Sequence, residues 1–259
     1  MGERTEYKPG TFCWADLATT DQDAAKSFYG ELLGWEFEDI PVGEGVNYSL
    51  SRRDGKSLAA IAPQPEQARD AGAPPAWNSY VSVESADSAA DRAQELGATV
   101  QAPPFDVMDV GRMAVIQDPQ GAFFMVWEPR AQIGAEIVNE PGALVWNELV
   151  APDLDAARSF YSGLFGWTLE PMSDAPMTYY MIKNGDSTNG GMRQPQPPDL
   201  PPHWLVYFGV EDMDSALAKI EQLGGRKFAG PIDMGAGMIG VAQDPQGAAF
   251  ALWAGQMAP

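Results

Sequence analysis

The hexapeptide QDPQGA is written twice in this chain, at residues 117–122 and again at 243–248. Six identical letters at such a distance constrain the fold to two copies of one folding unit, and alignment outward from them extends the repeat over most of the sequence. The stretch FCWADLATTDQDAAKSFYGELLGW (12–35) answers LVWNELVAPDLDAARSFYSGLFGW (144–167). Trp14, Phe28, Tyr29, Gly34 and Trp35 are matched by Trp146, Phe160, Tyr161, Gly166 and Trp167, each 132 positions later. A second pair, 75–100 and 202–227, keeps Trp77 in step with Trp204 at an offset of 127, and Asp118 and Trp127 meet Asp244 and Trp253 at 126. A chain of 259 residues divides into two halves of common domain size, about 130 residues each. The expected domains are 1–132 and 133–259, joined through EPRAQIGAEIVNEPG (128–142).

Each half in turn reads as two units, about 11–63 and 75–129 in the first and about 143–194 and 202–255 in the second. In the first unit WADLATT is strand-like. In DQDAAKSFYGELLG, residues Ala24, Ala25, Phe28, Leu32 and Leu33 form a helical stripe that stops at Gly34. NYSLSRR and SLAAIAP follow as strands around the turn pair Asp54-Gly55. The next unit repeats the order: NSYVSV, then a helix with Ala86, Ala89, Ala90, Ala93 and Leu96 on one stripe, then RMAVIQD and AFFMVWE flanking the turn DPQG. The Pro-rich stretches 63–76 and 194–202 are expected to be loops between units.

Charge and cysteine content narrow the partners. Thirty-six acidic against sixteen basic residues give a formal charge of −20, which repels nucleic acid and anionic lipid surfaces. Cys13 is the single cysteine, so neither an internal disulfide nor a thiolate cluster can form within the chain. The opening MGERTEYKPGTF holds no apolar run of signal-peptide length and no membrane-spanning run follows; a cytoplasmic location is expected, as monomer or homodimer.

Four βαβββ units in two pairs, with FYxxLLGW closing the first helix and DPxG entering the last strand, resemble the vicinal-oxygen-chelate superfamily of glyoxalases, bleomycin-resistance proteins and extradiol dioxygenases. The likeness is closest to its two-domain actinobacterial, glyoxalase-like and hydroxylase-like branch. It implies an α+β fold in which each pair of units curls a mixed sheet around a concave cleft, and in the enzymes of this superfamily a divalent metal held there by His, Glu or Gln. The matching positions here carry Trp14 and Trp146, Asn78 and Leu205, Met125 and Ala251. A slip of one residue would leave only Asp16 or Glu148, and one carboxylate does not make a metal site. The lone histidine, His203, reads as a loop or strand-edge residue with a structural hydrogen bond. No metal and no cofactor are therefore expected.

What lines the clefts instead follows from strand alternation, which puts Trp14 with Asp16 and Asn78 with Tyr80. The second half offers Trp146, Glu148, Leu205 and Tyr207, with His203 at the rim and Met238 where the first half has Arg112. Arg112 reads as a surface charge that could also hold an anionic group. Trp35, Trp167, Trp127 and Trp253 read as core, and Cys13 as a small core residue. The expected ligand-binding set is thus Trp14, Asp16, Asn78, Tyr80, Arg112, Met125, Trp146, Glu148, Leu205 and Tyr207. Three functions fit. The first is a metal-independent protein that binds an apolar or aromatic metabolite in an aromatic-lined cleft. The second is an enzyme of natural-product or aldehyde metabolism, with Asp16, Glu148, Tyr80 or His203 as acid or base. The third is a protein-interaction scaffold.

Overall fold

A computed structural model describes residues 2–172 and 178–257. The first unit runs β1 (Phe12–Thr19), α1 (Gln22–Leu33), β2 (Glu36–Gly43), β3 (Val46–Arg53), β4 (Lys56–Pro63), and the second β5 (Ala76–Ser82), α3 (Ala86–Glu95), β6 (Thr99–Val107), β7 (Gly111–Gln117), β8 (Phe123–Pro129). Between them the stretch expected as loop contains one short helix, α2 (Glu66–Asp70). The second half repeats the order as β9 (Leu144–Val150), α4 (Leu154–Phe165), β10 (Thr168–Pro171), β11 (Tyr179–Asn184), β12 (Ser187–Arg193), then β13 (His203–Gly209), α5 (Met213–Gln222), β14 (Arg226–Asp233), β15 (Gly237–Gln243) and β16 (Ala249–Gly255). No helix among the described residues is long and apolar enough to cross a membrane.

Each helix begins where its sequence supplies a side-chain oxygen for an orphan backbone N–H. Asp21, Asp153, Asp212 and Ser85 accept from the N–H three residues on. Gly34 and Gly166 end α1 and α4 in the left-handed region, at φ 73° and 72°, which a side chain would resist.

The strands form two eight-stranded mixed sheets of identical order, β2-β3-β4-β1-β5-β8-β7-β6 and β10-β11-β12-β9-β13-β16-β15-β14. The antiparallel pairs β1–β5 and β9–β13 sit at the centre of each, and β4, β8, β12 and β16 join them in parallel. Helices lie on one face of each sheet, and those faces are turned toward each other. Central strands touch across the interface, where Ser79 donates to Asn147 at 2.7 Å. Helix α1 packs with α5 on one side and α3 with α4 on the other. The opposite, concave faces point away from the interface, one on each side of the molecule.

The twice-written hexapeptide is part of this interface. In each copy one carboxylate oxygen ties down its own turn: Asp118 Oδ1 accepts from the N–H groups of Gln120, Gly121 and Ala122, and Asp244 Oδ1 from those of Gln246 and Ala248. The other oxygen crosses to the other half. Tyr161 donates to Asp118 at 2.9 Å and Tyr29 to Asp244 at 3.1 Å, while Trp204 and Trp77 donate to those same two hydroxyls. Trp35 and Trp167 stack on Tyr29 and Tyr161 and donate to the carbonyls of Gly142 and Gly10. The FYxxLLGW and DPQG signatures of one half are thus completed by those of the other, and these rings and carboxylates are almost wholly buried.

Candidate functional site: two concave cups

Strand alternation sorts the expected site residues onto faces. On β1 and β5, Trp14, Asp16, Asn78 and Tyr80 face the concave side, while Ala15, Leu17, Trp77 and Ser79 face the helices. Met125 lies beside Tyr80 on the same concave face. In the second half Trp146, Glu148, Leu205, Tyr207 and Ala251 share that face, and His203 opens β13 in the same column as Leu205.

Arg112 does not join this set. Its neighbours Met113 and Val115 take the concave parity, so Arg112 falls on the helix side of β7, where it binds Asp87 at the start of α3 and Asp106 on β6. Met238 takes the equivalent outward position on β15. Arg112 as a cleft residue is therefore corrected to a surface ion cluster, because the pairing of β7 with β8 fixes its face. Trp127 is buried in the core, as expected, and Trp253 is partly buried. They stand two residues after Met125 and Ala251 and so wall the concave side; Gly111 and Gly237 leave room for their rings, since an added Cβ would lie 2.2 and 2.7 Å from them.

In the first cup the carboxylate of Asp16 is a hub. Tyr80 donates to Oδ2 at 2.7 Å, Tyr48 of β3 donates to the same oxygen at 3.1 Å, and Asn78 donates to Oδ1 at 2.8 Å. Trp14 donates its indole N–H to Tyr48 at 2.9 Å. Asp16 is 7% exposed. Burial raises its pKa above the usual carboxylate value, outweighing the three donors that favour its charged form. The same burial, followed by the charge of Asp16, pushes the phenols of Tyr48 and Tyr80 well above their ordinary range.

The second cup keeps the plan and changes the chemistry. Trp146 donates to Tyr179 at 3.2 Å, as Trp14 does to Tyr48. Burial, and after it the charge of Glu148, raises the phenols of both Tyr179 and Tyr207. Leu205 replaces Asn78, so the amide donor is gone, and a cation enters: Arg193 Nε donates to Glu148 Oε1 at 2.6 Å, with side chains 16% and 4% exposed. Tyr179 fits only because residue 191 is glycine; a Cβ there would stand 1.9 Å from the Tyr179 hydroxyl. His203 holds Nδ1 at 2.7 Å from the Pro201 carbonyl. A carbonyl only accepts, so Nδ1 carries the proton and neutral His203 keeps its lone pair at Nε2. Burial lowers its pKa below the usual imidazole value.

Tyr48, Tyr179 and Arg193 are the site residues that sequence reasoning missed. The first two stand at matching places in the two halves, a signal that extending the repeat alignment into these hairpins would have exposed. Arg193 is the last residue of β12, whose STNGGM run carries no charged side chain to draw attention to it.

Comparison with known proteins bears on the whole chain. The family model described as Glyoxalase/Bleomycin resistance protein/Dioxygenase superfamily matches residues 11–126 and again 134–252. The chain belongs to this superfamily. Among its relatives, CFP32 of Mycobacterium tuberculosis, which bears a glyoxylase name, is 44% identical over 255 residues, 97% of each chain. DauV of Streptomyces sp. (strain C5), named as an anthracycline biosynthesis protein, is 32% identical over 96% of this chain and 94% of its own. The Mn(II)-bound glyoxalase of Novosphingobium aromaticivorans shares the fold at a TM-score of 0.67 and 16% identity, over 96% of this chain and 83% of that one.

The metal that the superfamily's enzymes hold does not fit the donor sets of this glyoxalase-superfamily chain. Among the described residues no three His, Cys, Asp or Glu side chains come together as ligands. Among the described residues each cup holds one carboxylate, Asp16 or Glu148. Both oxygens of Asp16 already accept from neutral donors, and Glu148 faces a guanidinium, whose charge opposes a second cation. Cys13 is buried behind Trp14, where burial raises its thiol pKa and leaves it a poor thiolate.

Proposed function

We propose that the protein binds an apolar or aromatic small molecule, of the secondary-metabolite class, in an aromatic-walled cup without a metal. The observation that carries this reading is the state of the two carboxylates: each is engaged by the chain's own donors and ringed by Trp and Tyr, an arrangement suited to apolar contact with a few oriented polar groups. Support also comes from the relatives' names, since one is assigned to anthracycline biosynthesis and another to a glyoxylase. The test is elemental analysis of the purified protein, followed by calorimetric titration with Ni²⁺, Zn²⁺, Fe²⁺ and Mn²⁺ and a thermal-shift screen of aromatic metabolites. Metal-free protein that ignores all four ions and is stabilised by an aromatic compound is the expected result. Stoichiometric, tightly held metal would overturn the reading.

An acid–base enzyme is the second reading, and His203 favours it, because its fixed Nδ1 leaves Nε2 as a base in the column of Leu205 and Tyr207. Turnover of a bound compound, lost on His203→Ala with binding retained, would move this reading ahead of simple binding.

A further inference from the structure

We propose that the second cup, and not the first, is the binding site, and that its ligand is an aromatic compound with an ionised oxygen, a carboxylate or acidic phenolate, held at Nη2 of Arg193. This rests on the metal-free aromatic cup proposed above and narrows it to one face and one ligand class.

The argument is a comparison of equivalent rows. Near one end of the first concave face, Ala76, Ala18 and Ala62 stand side by side. The same row of the second face is His203, Val150 and Arg193. One row further in, Asn78, Asp16 and Ala60 become Leu205, Glu148 and Gly191. In the first cup the carboxylate is served by two phenols and an amide of its own chain. Its charge is accounted for locally, and the row beside it carries methyl groups.

In the second cup the guanidinium is only partly used. Nε binds Glu148 and Nη1 reaches the Gln194 carbonyl at 3.2 Å, while Nη2 has no partner among the described residues. A cation 16% exposed, with unspent donors and its own counterion on the far edge, presents directional N–H groups to an anion rather than a diffuse charge. This matters in a chain of formal charge −20, whose long-range field repels anions, so that only short, oriented contacts can favour one.

The walls agree. Ala251 replaces Met125 beside the phenol of the central strand, which shortens the side chain there, while the room above Gly191 is taken by Tyr179. Trp146 and Trp253 are half-buried where Trp14 and Trp127 are buried, which leaves ring surface on the second face for a flat ligand. Nε2 of His203, in the same row as Arg193, is left to accept an O–H of that ligand.

The experiment is isothermal titration of the full chain with 2-naphthoate and with 2-naphthalenemethanol, which share a body and differ in charge, with tryptophan emission followed in parallel. The expected result is one naphthoate per chain, quenched emission, and affinity at least about tenfold above the alcohol, as one charge-assisted contact would give. The preference should vanish in the double variant Glu148→Gln/Arg193→Met, which removes both charges together so that neither is left buried alone, while the alcohol still binds. Equal affinity for the two probes, two naphthoates per chain, or a preference that survives the double variant would overturn the inference and leave the metal-free cup standing. Failure of both probes to bind would overturn the cup reading along with it.

Discussion

Asp16 and Glu148 occupy equivalent places and meet opposite solutions to the burial of a charge. Asp16 has no cation among its hydrogen-bond donors, and its native pKa lies above the usual 3.8, so the folded state holds the proton more tightly than the unfolded chain does. Its contribution to stability is complete below that usual value and is lost as pH rises through the window up to the native value. Asp16→Asn should therefore gain on the wild type as pH rises across this window, by about 1.4 kcal/mol per pH unit spanned, and then keep a constant lead. Urea unfolding midpoints at a series of pH values measure this; a variant that loses ground with rising pH would show that the three donors outweigh burial. At Glu148 the hazard is an orphaned charge. Arg193→Met alone should cost about 3 kcal/mol, and Glu148→Gln/Arg193→Met should recover most of it, read from the same denaturant curves.

Among the elements, β11 and β12 make the second cup what it is. Gly191→Ala should drive Tyr179 off its place and break its contact with Trp146, seen as a changed near-ultraviolet circular dichroism band with far-ultraviolet signal intact. The helices α1 and α4 carry a different burden. Tyr29→Phe strips Trp77 of its acceptor and Asp244 of a donor, and Tyr161→Phe does the same to Trp204 and Asp118. Each should cost about 2 kcal/mol, and the pair should add, because the two clusters share no residue; denaturant midpoints of the single and double variants check it. The cup residues on central strands were legible from the sequence because alternation alone places Trp14 with Asp16 and Trp146 with Glu148. Tyr48, Tyr179 and Arg193 were not, since they reach the cup through hairpins whose register against β1 and β9 depends on a parallel crossover that no local pattern encodes. Arg112 failed for the same reason: one residue of parity in β7 decides between cleft and surface. The outermost strands β2, β6 and β14 are mostly exposed and carry too little hydrophobic alternation to be read as strands from the sequence.

At the scale of the molecule, the duplication was the most legible feature, and its meaning lay in three dimensions. Sequence alone suggests two domains strung together; the structure makes each half supply residues that the other's core needs, with Phe208 packed on Trp35 and Trp77, and Phe12 on Trp167 and Trp204. The full chain should therefore melt in one calorimetric transition, with van't Hoff and calorimetric enthalpies equal, and two separated transitions would contradict the shared core. Because the Tyr-to-Asp latches are written alike in both halves, nothing in the latch itself distinguishes a partner within the chain from one in a neighbour. The choice is made by residues 130–143, a strap bound through Ala135 to Cys13 and through Glu136 to Ser57, which keeps the second half at an effective concentration on the order of millimolar. Shorten that strap beyond its span and the same contacts would be satisfied by exchange, yielding intertwined dimers whose population rises with protein concentration.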